Sequence, residues 1–404
     1  MTYRELLTLH KEGKLSEDQK VLVEQELEKA QAINDYLADE IEEYFGQEKE
    51  DKLEDFKYDP QNNIKIKKSI KKAVNRRLAL VVGISVVTVF VIVLIIQNII
   101  SPLVASRYYD PTKQTVGQEY HQDLCFDLSA VTEVSMPGYG ISSVDKVENL
   151  GFGAYNIGFT RYNTFTKDKI IINTKINKGI HQGPYEDFHA EDYFAFTEFW
   201  DCVEGTKEYQ EYLDINKQFS DIEIEHVKEL PSTSYISAWV RFSHDLSMEE
   251  LYRVIHEYSN VNFEWIAVRT EKNQGQQLMG FSTNSNSGCM DTLNKENYPG
   301  FKLIDILNLP SDKISYELHM ADIYETHFTS LLKYLVDRKD VIPSLLGYSI
   351  NYDYQSAFDY IQTNGINTYG AFIYGEASDL LELYESGAIM TFDINNVIPS
   401  KYIQ

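Results

Sequence analysis

The residues of this chain that could carry catalytic or metal chemistry are few and scattered. His121 and Cys125 have the spacing of a metal-ligand pair, but no second pair accompanies them, so we interpret the spacing as a coincidence. A second polar group fits no ligand template and is interpreted as a solvated loop: His181, His189, Glu191 and Asp192. The motifs of serine hydrolases, P-loop nucleotide-binding proteins and zinc proteases are absent from the sequence. The sequence therefore predicts neither an enzyme nor a bound metal or other cofactor.

The three cysteines, Cys125, Cys202 and Cys289, are far apart and show no paired spacing. At most one disulfide can form among them, and one thiol would be left over. The fold is therefore not expected to depend on a disulfide framework.

An uninterrupted apolar stretch at residues 78–100 divides the chain. It contains no charged side chain, and most of its residues are Leu, Ile, Val or Phe. As a helix it would be about 34 Å long, which is enough to cross a hydrocarbon core of about 30 Å. A buried core helix of this length would normally show a polar face. The stretch therefore predicts one transmembrane helix.

The charged residues beside this stretch predict its orientation. The segment before it has seven basic residues and no acidic one: Lys65, Lys67, Lys68, Lys71, Lys72, Arg76 and Arg77. The first basic residue after it is Arg107, soon followed by Asp110. Because cytoplasmic flanks are enriched in Lys and Arg, we expect residues 1–77 in the cytoplasm and residues 101–404 outside the cell membrane. The net charge of −25, most of it in the outer region, argues against nucleic acid as a direct partner.

The N-terminal region predicts a small helical head. Ser16 and Gln19 have the spacing of a capping box at the start of a helix, along which apolar residues recur every three or four positions. The opposite face of this helix is acidic. A head of this size buries little apolar surface alone, so it either packs on itself or a second copy, or docks onto a partner protein. The residues expected to contact a partner are Leu6, Leu7, Leu9, Leu15, Val23, Leu27, Ile33, Leu37 and Ile41.

The head pattern ELL-x-LHKEGKLSEDQKVLVEQELEKAQAINDYLADE resembles the helical domain with which membrane-anchored anti-sigma factors bind a sigma factor. Many such domains carry a His-x3-Cys-x2-Cys zinc site on the second helix. In the matching register this chain has Glu26, Ala30 and Ile33, so the resemblance implies a zinc-free version. His10 is interpreted as an ordinary surface histidine.

Three short motifs mark the apolar stretch: Asn75-Arg76-Arg77 before it, Ile100-Ser101-Pro102 at its end, and Tyr108-Tyr109-Asp110-Pro111-Thr112 just beyond. With these motifs the segment is similar to the N-terminal region of the sigma factor regulator family of Gram-positive bacteria. The outer region resembles, more weakly, the C-terminal domain of that family. The resemblance implies a single-pass protein that restrains an extracytoplasmic-function sigma factor. We also expect Pro102 to end the helix and the two tyrosines to lie at the membrane interface.

The outer region predicts an α+β fold, in which helices cover one side of the sheets. Ser247 and Glu250 have capping-box spacing at the start of a helix between two strands, and a similar strand-helix-strand unit returns near the end of the chain. A further helix is expected at residues 321–340, followed by a break at Pro343. The glycines between residues 151 and 158 are interpreted as turn or bulge positions. The expected strands are 151–165, 169–176, 235–242, 263–269, 368–375 and 388–397.

These features predict four segments and one regulatory function. The segments are a head (1–45), a charged tether with the basic segment (46–77), the transmembrane helix (78–100) and the outer α+β region (101–404), with subdomains 101–230 and 231–404 as an alternative to one domain. We expect the head to sequester an extracytoplasmic-function sigma factor and the outer region to respond to envelope stress. A membrane protease or an envelope protein is a further expected partner.

A second interpretation belongs to another functional class. In it the outer region binds a cell-wall or peptide ligand through exposed aromatic residues, and the head serves only as an anchor or assembly piece. The mechanism by which an outer signal would weaken the binding of the head to a sigma factor stays open. Proteolysis or altered pairing of subunits is preferred to a change transmitted through a single helix.

Overall fold

The computed structural model describes residues 10, 17–46, 60–117, 122–183, 206–272, 278–284, 293, 296–307, 316–346 and 352–402. The chain divides into two compact units, Met1–Val87 and Thr88–Gln404. The first unit contains helix α1 (Glu17–Gly46) and the beginning of helix α2 (Pro60–Ile95). The second unit is a mixture of helices and two β-sheets, so the predicted α+β class is confirmed at this level.

One helical stretch, Lys68–Ala105, is long and apolar enough to cross a membrane, and its apolar window is not buried against the rest of the protein. It consists of most of α2, a π-helical turn (Ile96–Ile100) and the short helix α3 (Ser101–Ala105). The basic residues Lys65–Arg77 therefore share one continuous helix with the apolar residues.

The prediction that Pro102 ends this helix is wrong. Pro102 lies in the first turn of α3, where its missing N–H group is tolerated, and the helix continues to Ala105. The π-helical turn directly before Pro102 changes the hydrogen-bonding pattern at the place where an α-helical pattern would require a donor that proline lacks.

After the apolar helix, the second unit continues with helix α4 (Asp123–Ser135), which leads into a four-stranded antiparallel sheet with the order β1-β2-β3-β4. A tight turn at Phe152 and Gly153 joins β1 to β2, and Gly151 and Gly153 both have positive φ angles there, as expected for glycines at a turn. The strands of this sheet are β1 (Tyr139–Gly151), β2 (Ala154–Asn163), β3 (Lys169–Asn177) and β4 (Ile180–His181).

The five-stranded sheet interleaves two strand-helix-strand units. Strands β5 and β6 both pair antiparallel with β8, while β8 and β9 both pair antiparallel with β5, which gives the order β7-β6-β8-β5-β9. Each unit is therefore a split β-α-β motif with a strand of the other unit inserted, as in ferredoxin-like domains. The elements are β5 (Tyr235–Ser247), α6 (Met248–Glu257), β6 (Asn262–Val268), β7 (Gly280–Ser282), β8 (Asn367–Glu376), α11 (Ala377–Glu385) and β9 (Ile389–Ile398).

The capping box predicted at the start of α6 is confirmed. The Glu250 amide donates to Ser247 Oγ, and the Ser247 amide donates back to the Glu250 carboxylate. The remaining helices are α5 (Lys207–Glu229), which contacts β9, and four that lie between β7 and β8 in the chain: α7 (Leu303–Leu307), α8 (Tyr316–Asp337), α9 (Ile342–Leu346) and α10 (Tyr354–Asn364). Pro343, predicted to mark a break, lies in the first turn of the short helix α9, after α8 has ended.

Both faces of the five-stranded sheet are buried. Alternate residues of its strands join a large hydrophobic cluster that also contains α4, α8 and residues of the first sheet. The opposite face carries an aromatic cluster in which the Trp239 and Phe372 rings stack with centroids 4.0 Å apart. Phe165, from the turn after β2, covers this cluster and stacks on Tyr235. The expectation that helices cover one side of the sheet is therefore incomplete, because aromatic side chains cover the other.

Candidate functional site

Helix α1 presents the described part of the predicted partner-binding surface. Leu27, Ile33 and Leu37 are exposed by 41%, 60% and 46% of their surface. Val23 is fully buried and therefore contributes to packing within this unit rather than to an open surface. The structure does not describe the side chains of the other candidates, Leu6, Leu7, Leu9, Leu15 and Ile41.

The acidic face predicted for this helix is also exposed. Glu24, Glu28, Asp35 and Asp39 all lie in contact with solvent. His10 is half-buried, and its Nε2 lies 3.9 Å from the Glu24 carboxylate. The helix therefore combines a short series of exposed apolar side chains with a strongly acidic surface.

The basic residues that predict the orientation lie on α2. Within the described side chains, Lys68, Lys71, Lys72, Arg76 and Arg77 are exposed. Their charges are therefore available to solvent or to anionic lipid headgroups.

The segment that follows the apolar helix is fastened to the second unit by two aspartate-centred turns. Asp110 accepts hydrogen bonds from the Thr112 amide and hydroxyl at 3.0 and 2.6 Å. Asp123, at the start of α4, accepts bonds from the Thr115 amide and hydroxyl and from the Val116 amide. The Tyr-Tyr-Asp-Pro-Thr motif is thus part of a folded connection, not a free linker.

Tyr109 of this motif donates a hydrogen bond to Asp127 of α4 over 2.9 Å. This contact places its hydroxyl in a buried network, in contrast to the membrane-interface position that we expected from the sequence. Tyr108, the other tyrosine, packs against Gly153 at the tip of the β1–β2 turn.

Asp127 is the centre of the network. It is completely buried, and Arg338 donates to both of its carboxylate oxygens over 2.7 and 2.6 Å. Tyr334, near the end of α8, donates its hydroxyl over 2.8 Å. Four donors from two separate segments therefore satisfy one buried carboxylate, which is the condition under which a buried charge is tolerated.

Burial raises the pKa of Asp127 above its ordinary value, although Arg338 and the two tyrosine hydroxyls oppose this shift. Burial, followed by the charge of Asp127, also raises the pKa of Tyr109 and of Tyr334 well above 10. Both tyrosines therefore remain protonated and keep donating to Asp127.

A second buried network lies between α4 and α8. His327 Nδ1 lies 2.6 Å from the Gly300 carbonyl oxygen, and its Nε2 lies 2.7 Å from a carboxylate oxygen of Glu133. Both partners present oxygen atoms that can accept, so protonation of both ring nitrogens would satisfy both contacts. Burial lowers the pKa of His327, but Glu133 and the Gly300 carbonyl raise it more, so the net shift is upward.

The residues that the sequence suggested for metal chemistry do not form a site in the described part of the chain. No group of three or more metal-ligating side chains occurs there. Cys125 is disulfide-bonded, and the two other cysteines of the chain lie outside the described residues. His181 is buried in β4, where its Nε2 lies 2.8 Å from Thr174 Oγ1. The other residues of those two groups, His121, His189, Glu191 and Asp192, lie outside the described residues.

The part of the chain that contains the five-stranded sheet matches a known sequence family. Residues 227–396 match the family model described as sigma factor regulator C-terminal. Residues 227–396, fewer than half of the 404 residues, are named the sigma factor regulator domain after the family model that they match. The resemblance predicted for the outer region is thereby confirmed. No curated protein and no solved structure matches the chain.

The sigma factor regulator family is regulatory and non-enzymatic, so the matched domain suggests regulation of a sigma factor. The match runs from the end of α5 to the last residues of β9 and contains Tyr334, Arg338 and His327. Their partners Asp127 and Glu133, on α4, precede the match. The two buried networks therefore connect the sigma factor regulator domain to α4 and, through Tyr109, to the apolar helix.

Sequence reasoning missed both networks because their members are far apart along the chain. Arg338 and Asp127 are separated by 211 positions, and His327 and Glu133 by 194. One signal was present: Asp127 stands within the run Leu124–Val131, in which Ser129 is the only other polar residue, and an acidic residue buried there needs a partner. Nothing in the sequence indicated which basic residue provides it.

We expect Arg338→Met to destabilise the second unit by about 3–5 kcal/mol, because Asp127 would keep a buried charge without its main partner. Chemical denaturation of the full chain in detergent micelles, followed by the fluorescence of the buried tryptophans, measures the change. Lys207→Met is the matched control. It removes a cation that is 84% exposed and pairs with Glu211, and should change the stability by at most about 1 kcal/mol. Equal effects of the two substitutions would contradict the central role of Asp127.

We expect the free energy of unfolding to fall as the pH rises above about 6.5. The folded protein holds the His327 proton more tightly than the unfolded chain does. This contribution is complete below the unfolded pKa and is lost as the pH rises through the higher folded pKa. The pH dependence should become flatter in His327→Gln and remain in His226→Gln, which alters an exposed histidine of α5. Parallel pH profiles for the normal chain and His327→Gln would show that the imidazolium contributes nothing.

Proposed function

We propose that this chain is a membrane-anchored anti-sigma factor that sequesters an extracytoplasmic-function sigma factor through its N-terminal head. The observation that carries the proposal is the sigma factor regulator domain at residues 227–396. The same chain contains an exposed acidic helix, and one apolar helix lies between this helix and the domain in the sequence. Regulation of a sigma factor by such a chain requires a surface that the sigma factor can bind.

Helix α1 provides a surface of suitable chemistry. Sigma factors bind DNA through basic surfaces, and the exposed carboxylates of α1 complement such a charge. The apolar side chains of Leu27, Ile33 and Leu37 would then be buried in the complex, with roughly 1.5–3 kcal/mol for each side chain that becomes fully buried. Bound in this way, the head would cover the surfaces that the sigma factor needs for RNA polymerase or promoter DNA.

The membrane orientation follows from charge and from redox chemistry. The seven basic residues of the segment 65–77 favour a cytoplasmic position for the head. The disulfide of Cys125 supports an oxidising, extracytoplasmic location for the second unit, because disulfides are rare in reducing cytoplasm. In this orientation the outer unit would receive an envelope signal and weaken the hold of the head on the sigma factor.

We expect Leu27→Asp to reduce sigma-factor binding at least tenfold, because it places a charge within the apolar surface of α1. Co-purification of the full chain from membranes with each extracytoplasmic-function sigma factor of the organism measures the binding. Gln25→Asp is the matched control. It adds the same charge to an exposed position about 160° around the helix from Leu27 and should leave binding unchanged. Retention of no candidate sigma factor by the unmodified chain would refute the proposed function and favour a ligand-binding role for the outer region.

We expect replacement of all seven basic residues of the segment 65–77 by Gln to produce a mixed orientation in the membrane, because the charge difference across the helix would be lost. Protease protection of N- and C-terminal tags in intact cells measures the orientation. Replacement of Lys207, Lys217 and Lys228, three lysines of α5 far from the apolar helix, should leave the orientation uniform. An unmodified chain whose N-terminal tag is digested from outside would contradict the assigned orientation.

A further inference from the structure

We propose that the tip of the β1–β2 hairpin is a lipid-binding element that inserts into the headgroup layer of the membrane beside the exit of the apolar helix. The tip consists of residues 149–154, and the neighbouring β3–β4 turn at residues 177–180 lies next to it. The inference rests on the membrane-spanning part of the proposed function, although not on sigma-factor binding.

The position of the tip follows from its contact with the helix. The Phe152 amide donates to Ser101 Oγ over 2.8 Å. A Cβ atom built on Gly151 would lie 3.0 Å from the same oxygen, so glycine permits this close approach. Ser101 is the first residue after the apolar run, and the headgroup layer on each side of a bilayer is roughly 5–7 Å thick. A tip in direct contact with Ser101 therefore lies at the depth of that layer.

The side chains of the tip suit this environment. Leu150 and Phe152 are exposed by 45% and 41%, and Leu103, in α3, by 61%. Ile180, in the adjacent β3–β4 turn, is also exposed, and the Lys178 amide fixes that turn to the Gly153 carbonyl over 2.8 Å. Four large apolar side chains are thus exposed at the one end of the sheet that contacts the membrane helix.

The charge of the tip is distinct from that of the surrounding domain. The outer region is strongly acidic, yet residues 149–154 and 177–180 contain no Asp or Glu. Lys178 and Arg107 are exposed here. Cations beside apolar side chains match a surface of lipid phosphates above acyl chains.

The backbone conformation of Phe152 also indicates that its side chain has a function at the tip. Phe152 has a φ angle of +55°, a left-handed conformation that is rare for a bulky residue and that glycine would adopt without strain. An aromatic ring in this position faces solvent by 41% in the absence of a membrane. Aromatic rings favour the membrane–water interface, and burial there would give the strained residue a function.

The test uses the full chain in phosphatidylcholine bilayers with acyl chains brominated near the headgroup, because bromine quenches nearby tryptophan. Phe152→Trp should add fluorescence that brominated lipid reduces at least twofold relative to unbrominated lipid, after subtraction of the unsubstituted chain. Leu150→Trp reports the same position if Phe152→Trp does not fold. Ile171→Trp is the matched control. Ile171 is 71% exposed in the same sheet, about 20 Å along the strands from the tip, and its tryptophan should not be quenched.

A fourth variant, Val91→Trp, separates this inference from the proposed function. Its tryptophan lies within the apolar helix and should be quenched wherever that helix is inserted. Quenching at Val91→Trp without quenching at either tip variant would overturn the lipid-binding tip and leave the membrane span intact. Absence of quenching at all three positions would overturn the span as well. Equal quenching at the tip and at Ile171→Trp would also overturn the proposal, since contact would not be specific to the tip.

Discussion

One buried carboxylate, that of Asp127, connects segments of the second unit that lie far apart along the chain. Removing a carboxylate from water costs several kcal/mol, and this cost is offset only when donors satisfy both oxygens. The required donors come from Tyr109 beside the apolar helix and from Tyr334 and Arg338 at the end of α8. Loss of any of these donors would leave the carboxylate partly unsatisfied. This cost favours the fold in which the Tyr109 segment, α4 and the end of α8 are in contact. The connection after the apolar helix is therefore part of the folded body of the unit.

The five-stranded sheet of the sigma factor regulator domain also depends on contacts between distant parts of the chain. Because β8 lies between β5 and β6, and β5 lies between β8 and β9, neither strand-helix-strand unit forms a continuous sheet without the other. The insertion between β7 and β8 contains α8, which supplies His327 and Tyr334, and Arg338 follows directly after it. The contacts of this insertion with α4 link the domain to the segment that follows the apolar helix. A change at the sheet therefore has a direct route of packed and hydrogen-bonded groups to Tyr109.

Local patterns predicted most elements of this fold, and long-range contacts account for what they missed. The capping box at Ser247, the strands of the two interleaved units and the apolar helix follow from spacing within short windows, and the structure contains them. Helix α4 was missed because its residues are almost all buried, which leaves no polar face to reveal a helical period. Strand β1 was missed because most of it is polar and exposed. The order of the strands and the partner of Asp127 depend on contacts between residues more than 100 positions apart, which no spacing within the sequence encodes.

The helix that contains the apolar residues is continuous, and the connection after it is held by hydrogen bonds. The described helix is unbroken from Pro60 through Ala105, and its one departure from α-helical geometry is the π-helical turn at Ile96–Ile100. The π turn lies directly before Ser101, whose hydroxyl accepts a hydrogen bond from the Phe152 amide in the β1–β2 turn. A protease needs extended, accessible backbone to cleave the connection after this helix. Residues of this connection instead donate hydrogen bonds to Asp110, Asp123 or Asp127: Tyr109, Thr112, Thr115 and Val116. Proteolysis in this segment would require those contacts to open first.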